Sequence, residues 1–115
     1  MRIGIDDTDA PEGMCTTYLG AVLCRRLAGQ GFRVGIPRLL RLNPNVPWKT
    51  RGNAAICIDA EGDPGEAFRI ACGCVEELAV LTAPGTHPGV AVVEDPPDPA
   101  FYRKALQDFC TIDEA

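Results

Sequence analysis

The order in which two hydrophobic periods alternate along this chain restricts its fold more than any other feature. Arg2-Ile3-Gly4-Ile5 reads as a short strand. From Thr17 to Gln30, Leu19, Val22, Leu23 and Leu27 recur at helical spacing, Arg25 and Arg26 lie off that face, and Gly29 and Gly31 end the run. Residues 32–42 return to a two-residue alternation, with Phe32, Val34 and Ile36 set against Arg33 and Gly35. Residues 43–52 contain two prolines and no periodicity, which predicts a loop, and Asn53 to Asp59 resumes as a strand through Ala55, Ile56, Cys57 and Ile58. Asp63-Pro64-Gly65-Glu66 opens a second helix, with aspartate as the cap, proline at the first helical position and glutamate three residues after the cap. Its inward residues are expected to be Phe68, Ala71, Val75 and Leu78. A turn at 85–89 precedes a strand at 90–93, and Asp98-Pro99 starts a last helix with Tyr102, Ala105, Leu106 and Phe109 on one face.

The resulting order, βαββαβ and then a helix, predicts a mixed α/β (α+β) domain of the split βαβ, or ferredoxin-like, kind: a four-stranded antiparallel sheet with helices on one face. The first and third strands would be central and the second at an edge. Pro37 cannot donate to a ladder, which agrees with an edge or a bulge. At 115 residues a single core is feasible, so residues 1–115 are expected to form one domain, although Glu94-Asp95-Pro96-Pro97-Asp98 could mark a boundary.

The net charge of −5 conceals an asymmetry: residues 1–51 carry +4 and residues 52–115 carry −9. The basic part also holds the motifs, which suits an anionic substrate held on one side of the domain. Six cysteines lie mostly within apolar periodic segments and show no zinc-finger spacing, so they read as small hydrophobes. Cys15 differs in lying beside an acidic cluster, where it is either reactive or merely small. No apolar run reaches membrane-spanning length and the start is a charged strand, so a cytoplasmic protein with no membrane partner is expected.

Directly after the first strand stand Asp6-Asp7-Thr8-Asp9. At about 5 Å and an effective dielectric near 20, each carboxylate pair costs roughly 3 kcal/mol, so the cluster favours either a proton or a cation. In an extended continuation Asp7 and Asp9 share a side, which makes them the candidate ligands of a hard ion such as magnesium. The competing reading is an acidic turn in which these side chains cap backbone amides. Thr16 and Thr17 precede the first helix: one hydroxyl can cap it, and the other is free to bind or accept phosphate at the helix N-terminus. Lys49 and Arg51, with Arg41 nearby, are the basic groups available to phosphates, or else the solvated charges of an ordinary loop. Trp48 either stacks on a ring or covers the core, the latter being the favoured expectation. The sole histidine, His87, reads as a turn residue.

The runs Gly4-Ile5-Asp6-Asp7-Thr8-Asp9, Gly13-Met14-Cys15-Thr16-Thr17-Tyr18, and Arg41-Leu42-Asn43-Pro44-Asn45-Val46-Pro47 followed by Lys49-Thr50-Arg51-Gly52-Asn53 closely resemble the start of archaeal agmatidine synthetase. The resemblance extends over essentially the whole chain. It implies an ATP- and magnesium-dependent ligase that phosphorylates the carbonyl oxygen of the wobble cytidine of an isoleucine tRNA, so that the agmatine amine can displace phosphate. It also implies a kinase-like domain that phosphorylates one of its own threonines, by motif Thr16. Asp6, Asp7, Asp9 and Thr16 would then be catalytic, Asp7 and Asp9 the metal ligands, and Thr8, Thr17, Lys49, Arg51 and Asn53 the nucleotide- and phosphate-binding set. Members of that family are several times longer and carry an OB-fold and a zinc ribbon, so the resemblance is to their N-terminal portion. The alternatives are a non-catalytic sheet module that binds RNA or a protein partner, and a small-molecule sensor that dimerises through a sheet edge. The strands offer only Phe32 as an exposed aromatic platform, which disfavours the RNA-binding sheet.

Overall fold

A five-stranded antiparallel sheet carries two helices on one face in the computed structural model, which describes residues 1–115. The elements are β1 (Arg2–Asp6), α1 (Thr16–Gly29), β2 (Arg33–Val34), β3 (Arg38–Arg41), β4 (Ala54–Glu61), α2 (Pro64–Leu78), β5 (Gly89–Val93) and α3 (Ala100–Gln107). β1 lies between β4 and β5, and β2 and β3 both pair with the outer side of β4. The mixed α/β class and the central positions of the first and third predicted strands are as expected.

The sheet has five strands rather than four because the predicted strand at 32–42 breaks in the middle. Gly35 N donates to Asp59 O at 2.8 Å, after which the chain leaves the ladder through Ile36 and Pro37 and returns as β3. Proline has no amide to donate, so the interruption falls where the ladder would need one. Glycine suits a close approach at position 35: a Cβ there would stand 3.3 Å from Asp59 O, a tight contact.

Alternation in β1 and β4 turns Ile3, Ile5, Ile56, Ile58 and Ala60 toward the helices, where they meet Leu19, Leu23 and Leu27 of α1. α1 runs close to β4 at Gly20, whose added Cβ would come within 3.1 Å of Ile56 Cγ2. The buried stripe of α2 is Ala67, Ala71, Cys74 and Val75. Phe68, expected inside, is 47% exposed, because small residues one position away let the helix sit down on the sheet and rotate the phenyl ring off the face. Asp63 caps α2 as its sequence suggests, accepting from Glu66 N at 2.7 Å.

α3 has no buried residue. It is attached at the edge by Asn43 N donating to Ala105 O at 2.9 Å and by the Tyr102 hydroxyl donating to Arg41 O at 3.4 Å. No helix is long and apolar enough to cross a membrane.

Candidate active site

The loop between β1 and α1 folds back on itself, so that Asp9 meets the first turn of α1. Asp7 (φ 47°) and Met14 (φ 56°) take left-handed backbone, and a bridge between Ala10 and Gly13 closes the turn between them. Left-handed backbone is uncommon outside glycine and clusters where a loop is over-determined by its contacts. Here the contacts converge on Asp9. Its Oδ1 accepts from both Thr16 N and Thr16 Oγ1 at 2.6 Å, so the cap of α1 comes from seven residues upstream. Cys15, the residue that precedes the helix, makes no cap of its own.

Thr8 is fully buried and donates its hydroxyl to Thr16 Oγ1 at 2.9 Å. Arg51 Nη1 donates to Asp9 Oδ2 at 2.9 Å and to Met14 O at 3.1 Å, and Nη2 donates to Ala10 O at 3.4 Å. From the far end of the chain Thr86, also buried, donates to Asp9 O at 2.7 Å. Burial alone would raise the Asp9 carboxyl, but the two bonds from Thr16 and the Arg51 guanidinium outweigh it and hold Asp9 below its ordinary value.

Asp7 accepts from His87 N at 3.0 Å, with His87 Nδ1 at 3.8 Å. His87 was expected in a turn, but it lies in the irregular run between the turn that ends at Gly85 and β5, where its backbone amide anchors Asp7. Asp6 is pushed up, first by burial and then by the neighbouring Asp7 charge, with a backbone bond from Gly89 partly offsetting both. The Cys15 thiol is lowered, chiefly by the Thr17 hydroxyl 2.9 Å from its Sγ.

Asp6, Asp7, Asp9, Thr16, Thr17, Arg41, Lys49, Arg51 and Asn53 all line one cleft of about 480 Å³, with Arg51 in direct contact with Asp9. Asn53 Nδ2 donates to Asn43 O at 3.0 Å, and Lys49 Nζ turns back to Pro44 O, so the 43–53 loop is tied to itself. Trp48 is 75% exposed at the cleft's apolar end, its ring centroid 5.9 Å from that of Phe109, which corrects the expectation that it covers the core. The indole lies outside the core cluster and pairs with the exposed Phe109. The structure therefore gathers the predicted residues around one cleft with a single exception, Thr8, which lies beneath it. Thr86 had no local sequence signal, since its contact with Asp9 spans 77 residues. No three His, Cys, Asp or Glu side chains converge as a metal cage.

The TiaS TCKD domain family matches residues 2–66. This chain belongs to that family. It is 58% identical over 115 residues to a 2-agmatinylcytidine synthetase for an isoleucine tRNA, TiaS, of Methanocorpusculum labreanum, and 46% identical over 121 residues to the Pyrococcus horikoshii protein of the same name. Those alignments take in 99% and 100% of this chain, which spans 28% of the length of either relative. Its fold superposes on a TiaS–tRNA–ATP complex with a TM-score of 0.87 at 40% identity, covering 98% of this chain and 28% of that one. A tRNA fluorescent labeling enzyme superposes with a TM-score of 0.92 at 42% identity, covering 99% and 29%. A TiaS complex with tRNA, AMPCPP and agmatine gives 0.86 at 38%, covering 98% and 28%.

Proposed function

We propose that this chain is the phosphate-handling part of an ATP-dependent ligase that attaches agmatine to the wobble cytidine of an isoleucine tRNA in the cytoplasm. The observation that carries the reading is the Thr16 hydroxyl, 2.6 Å from the Asp9 carboxylate at the mouth of α1, in a cleft also lined by Arg41, Lys49 and Arg51. A helix N-terminus favours anions through its free amides and dipole. Phosphoryl transfer needs little beyond positioning and charge neutralisation, and the cleft's hydroxyls and basic side chains offer both. The names of the relatives and the complexes with ATP, AMPCPP and agmatine support the same substrates.

Thr16 is the residue placed to accept a phosphoryl group. The bond between the γ-phosphorus of ATP and its bridging oxygen breaks, the Thr16 Oγ1–phosphorus bond forms, ADP leaves with the electron pair, and the hydroxyl proton passes to Asp9. In tRNA modification the acceptor is the cytidine carbonyl oxygen, and the agmatine amine then displaces phosphate. Arg41, Lys49, Arg51, Asn53 and Thr17 line the space for the polyphosphate.

Asp7 and Asp9 both line the cleft, beside Asp6, whose carboxyl is raised first by burial and then by the Asp7 charge. That donor set fits magnesium, which joins one or two carboxylates to substrate phosphates instead of needing a full protein cage. Asp7 and Asp9 would hold it, and when bound it neutralises phosphate charge.

Calorimetric titration of the chain with ATP, with and without magnesium, tests the reading. Magnesium-dependent binding is expected, and Asp7→Asn is expected to abolish it while leaving the far-ultraviolet circular dichroism unchanged. Unchanged affinity in Asp7→Asn overturns the metal role, and no binding by the unaltered chain overturns the claim that these residues hold the nucleotide by themselves.

A further inference from the structure

Thr8 was expected among the phosphate-binding residues by its place in the acidic motif, yet its side chain is fully buried and does not reach the cleft. Its hydroxyl is spent on a single neighbour, Thr16 Oγ1, at 2.9 Å. The direction of that bond follows from the next one. An ionised carboxylate only accepts, so Thr16 must give its one proton to Asp9 Oδ1, and Thr8 must therefore donate to Thr16. A hydroxyl has two lone pairs. One accepts from Thr8 and one is left over, on a residue that lines the cleft.

We propose that Thr8 is a positioning residue for Thr16: from beneath the site it fixes the Thr16 side chain in the rotamer that keeps its hydroxyl hydrogen directed at Asp9 and aims the remaining lone pair at the cleft. The inference rests on the reading of Thr16 as phosphoryl acceptor. Asp9 by itself holds Thr16 through the backbone amide as well as the hydroxyl, both on Oδ1. The amide bond keeps the helix start in place whichever way the side chain turns. Only the bond from Thr8 grips the hydroxyl from the opposite side. Thr8 also sits where it can be rigid, between Asp7, anchored on His87 N, and Asp9, anchored by Thr86 and Arg51.

The test compares the chain with Thr8→Val, which keeps the shape and removes the donor, and Thr8→Ser, which keeps the donor. Two readouts are taken: transfer of label from γ-labelled ATP to Thr16, mapped by mass spectrometry, and the three-bond couplings of Thr16 Cγ2, which report its side-chain rotamer without any reaction. Thr8→Val should slow transfer about 10-fold or more at unchanged KM for ATP, since small misplacements of a reacting group cost factors of this size. Its couplings should average over rotamers, and Thr8→Ser should restore both the single rotamer and most of the transfer. Where Thr8→Val does not fold, Thr8→Ala, which adds no atom to the interior, carries the same expectation. A Thr16 rotamer that stays single without the Thr8 donor overturns the positioning, whatever the label does. Absence of label in the unaltered chain refutes Thr16 as acceptor and leaves the positioning to be decided by the couplings.

Discussion

Arg51 holds three separate pieces of the β1–α1 loop at once: the Asp9 carboxylate, the Met14 carbonyl and the Ala10 carbonyl. A planar guanidinium can reach acceptors in several directions from one side chain, whereas an ammonium acts as a compact point charge. Charge alone is therefore a poor substitute here. Arg51→Lys is expected to lower the melting temperature nearly as far as Arg51→Gln does, a loss of about 1 kcal/mol once solvent screening of this half-exposed pair is allowed for. Urea denaturation of the two variants side by side checks it, and a lysine variant as stable as the parent would reduce Arg51 to a simple counter-ion. At the same scale, the left-handed Met14 and Asp7 are legible only afterwards, since nothing in their identity announces the conformation that the surrounding bonds impose.

Among the elements, the turn between β4 and α2 is the most constrained. Gly62 has φ 155°, and a Cβ there would come within 2.3 Å of the Phe32 ring, which packs against the core. Gly62→Ala must move that ring or the backbone, and is expected to destabilise the chain by about 2 kcal/mol or more, measured as a fall in the urea midpoint. On the other face of the sheet, Asp59 of β4 pairs with Arg38 of β3 at 2.7 Å and with Arg2 of β1 at 3.5 Å, joining three strands. The hydrogen bond from Arg38 is the main reason its carboxyl lies below the ordinary value. A carboxyl depressed in the folded state adds stability above the unfolded pKa, near pH 4, and that stability is lost as pH falls through the folded value. Asp59→Asn should therefore cost a little at neutral pH and nothing in strong acid, so that the two melting curves converge on acidification. A difference that persists unchanged to low pH would mean that the pair contributes through packing.

For the molecule as a whole, the cleft lies where the end of β1, the start of α1, the 43–53 loop and the segment after α3 come together. Its outer wall carries Trp48, the chain's only tryptophan, which is 75% exposed. Unfolding is accordingly expected to move the tryptophan emission maximum very little, even while circular dichroism reports loss of the sheet. A large red shift on unfolding would show the indole to be buried in the folded chain and would remove it from the cleft. What could be read directly from the residues follows from local physics. Leu19, Leu23 and Leu27 had to share a face because a helix brings residues three and four apart together, and Asp63-Pro64 had to begin α2 because the cap and the missing proline donor act within one turn. The nearness of Asp6, Asp7 and Asp9 to Thr16 was legible for the same reason, being set by a short loop. The broken edge strand, the outward turn of Phe68 and the exposure of Trp48 were not, because each depends on what lies across the sheet. Nor was the partner of Asp9, which Arg51 reaches over 42 residues and Thr86 over 77. The sequence by itself determined the order of elements, apart from the break that splits the edge strand in two, and the chemistry available at the end of β1. The tertiary structure alone decided which hydroxyl is buried and which faces the cleft, because a threonine's role depends on the donors packed around it and those arrive from distant parts of the chain.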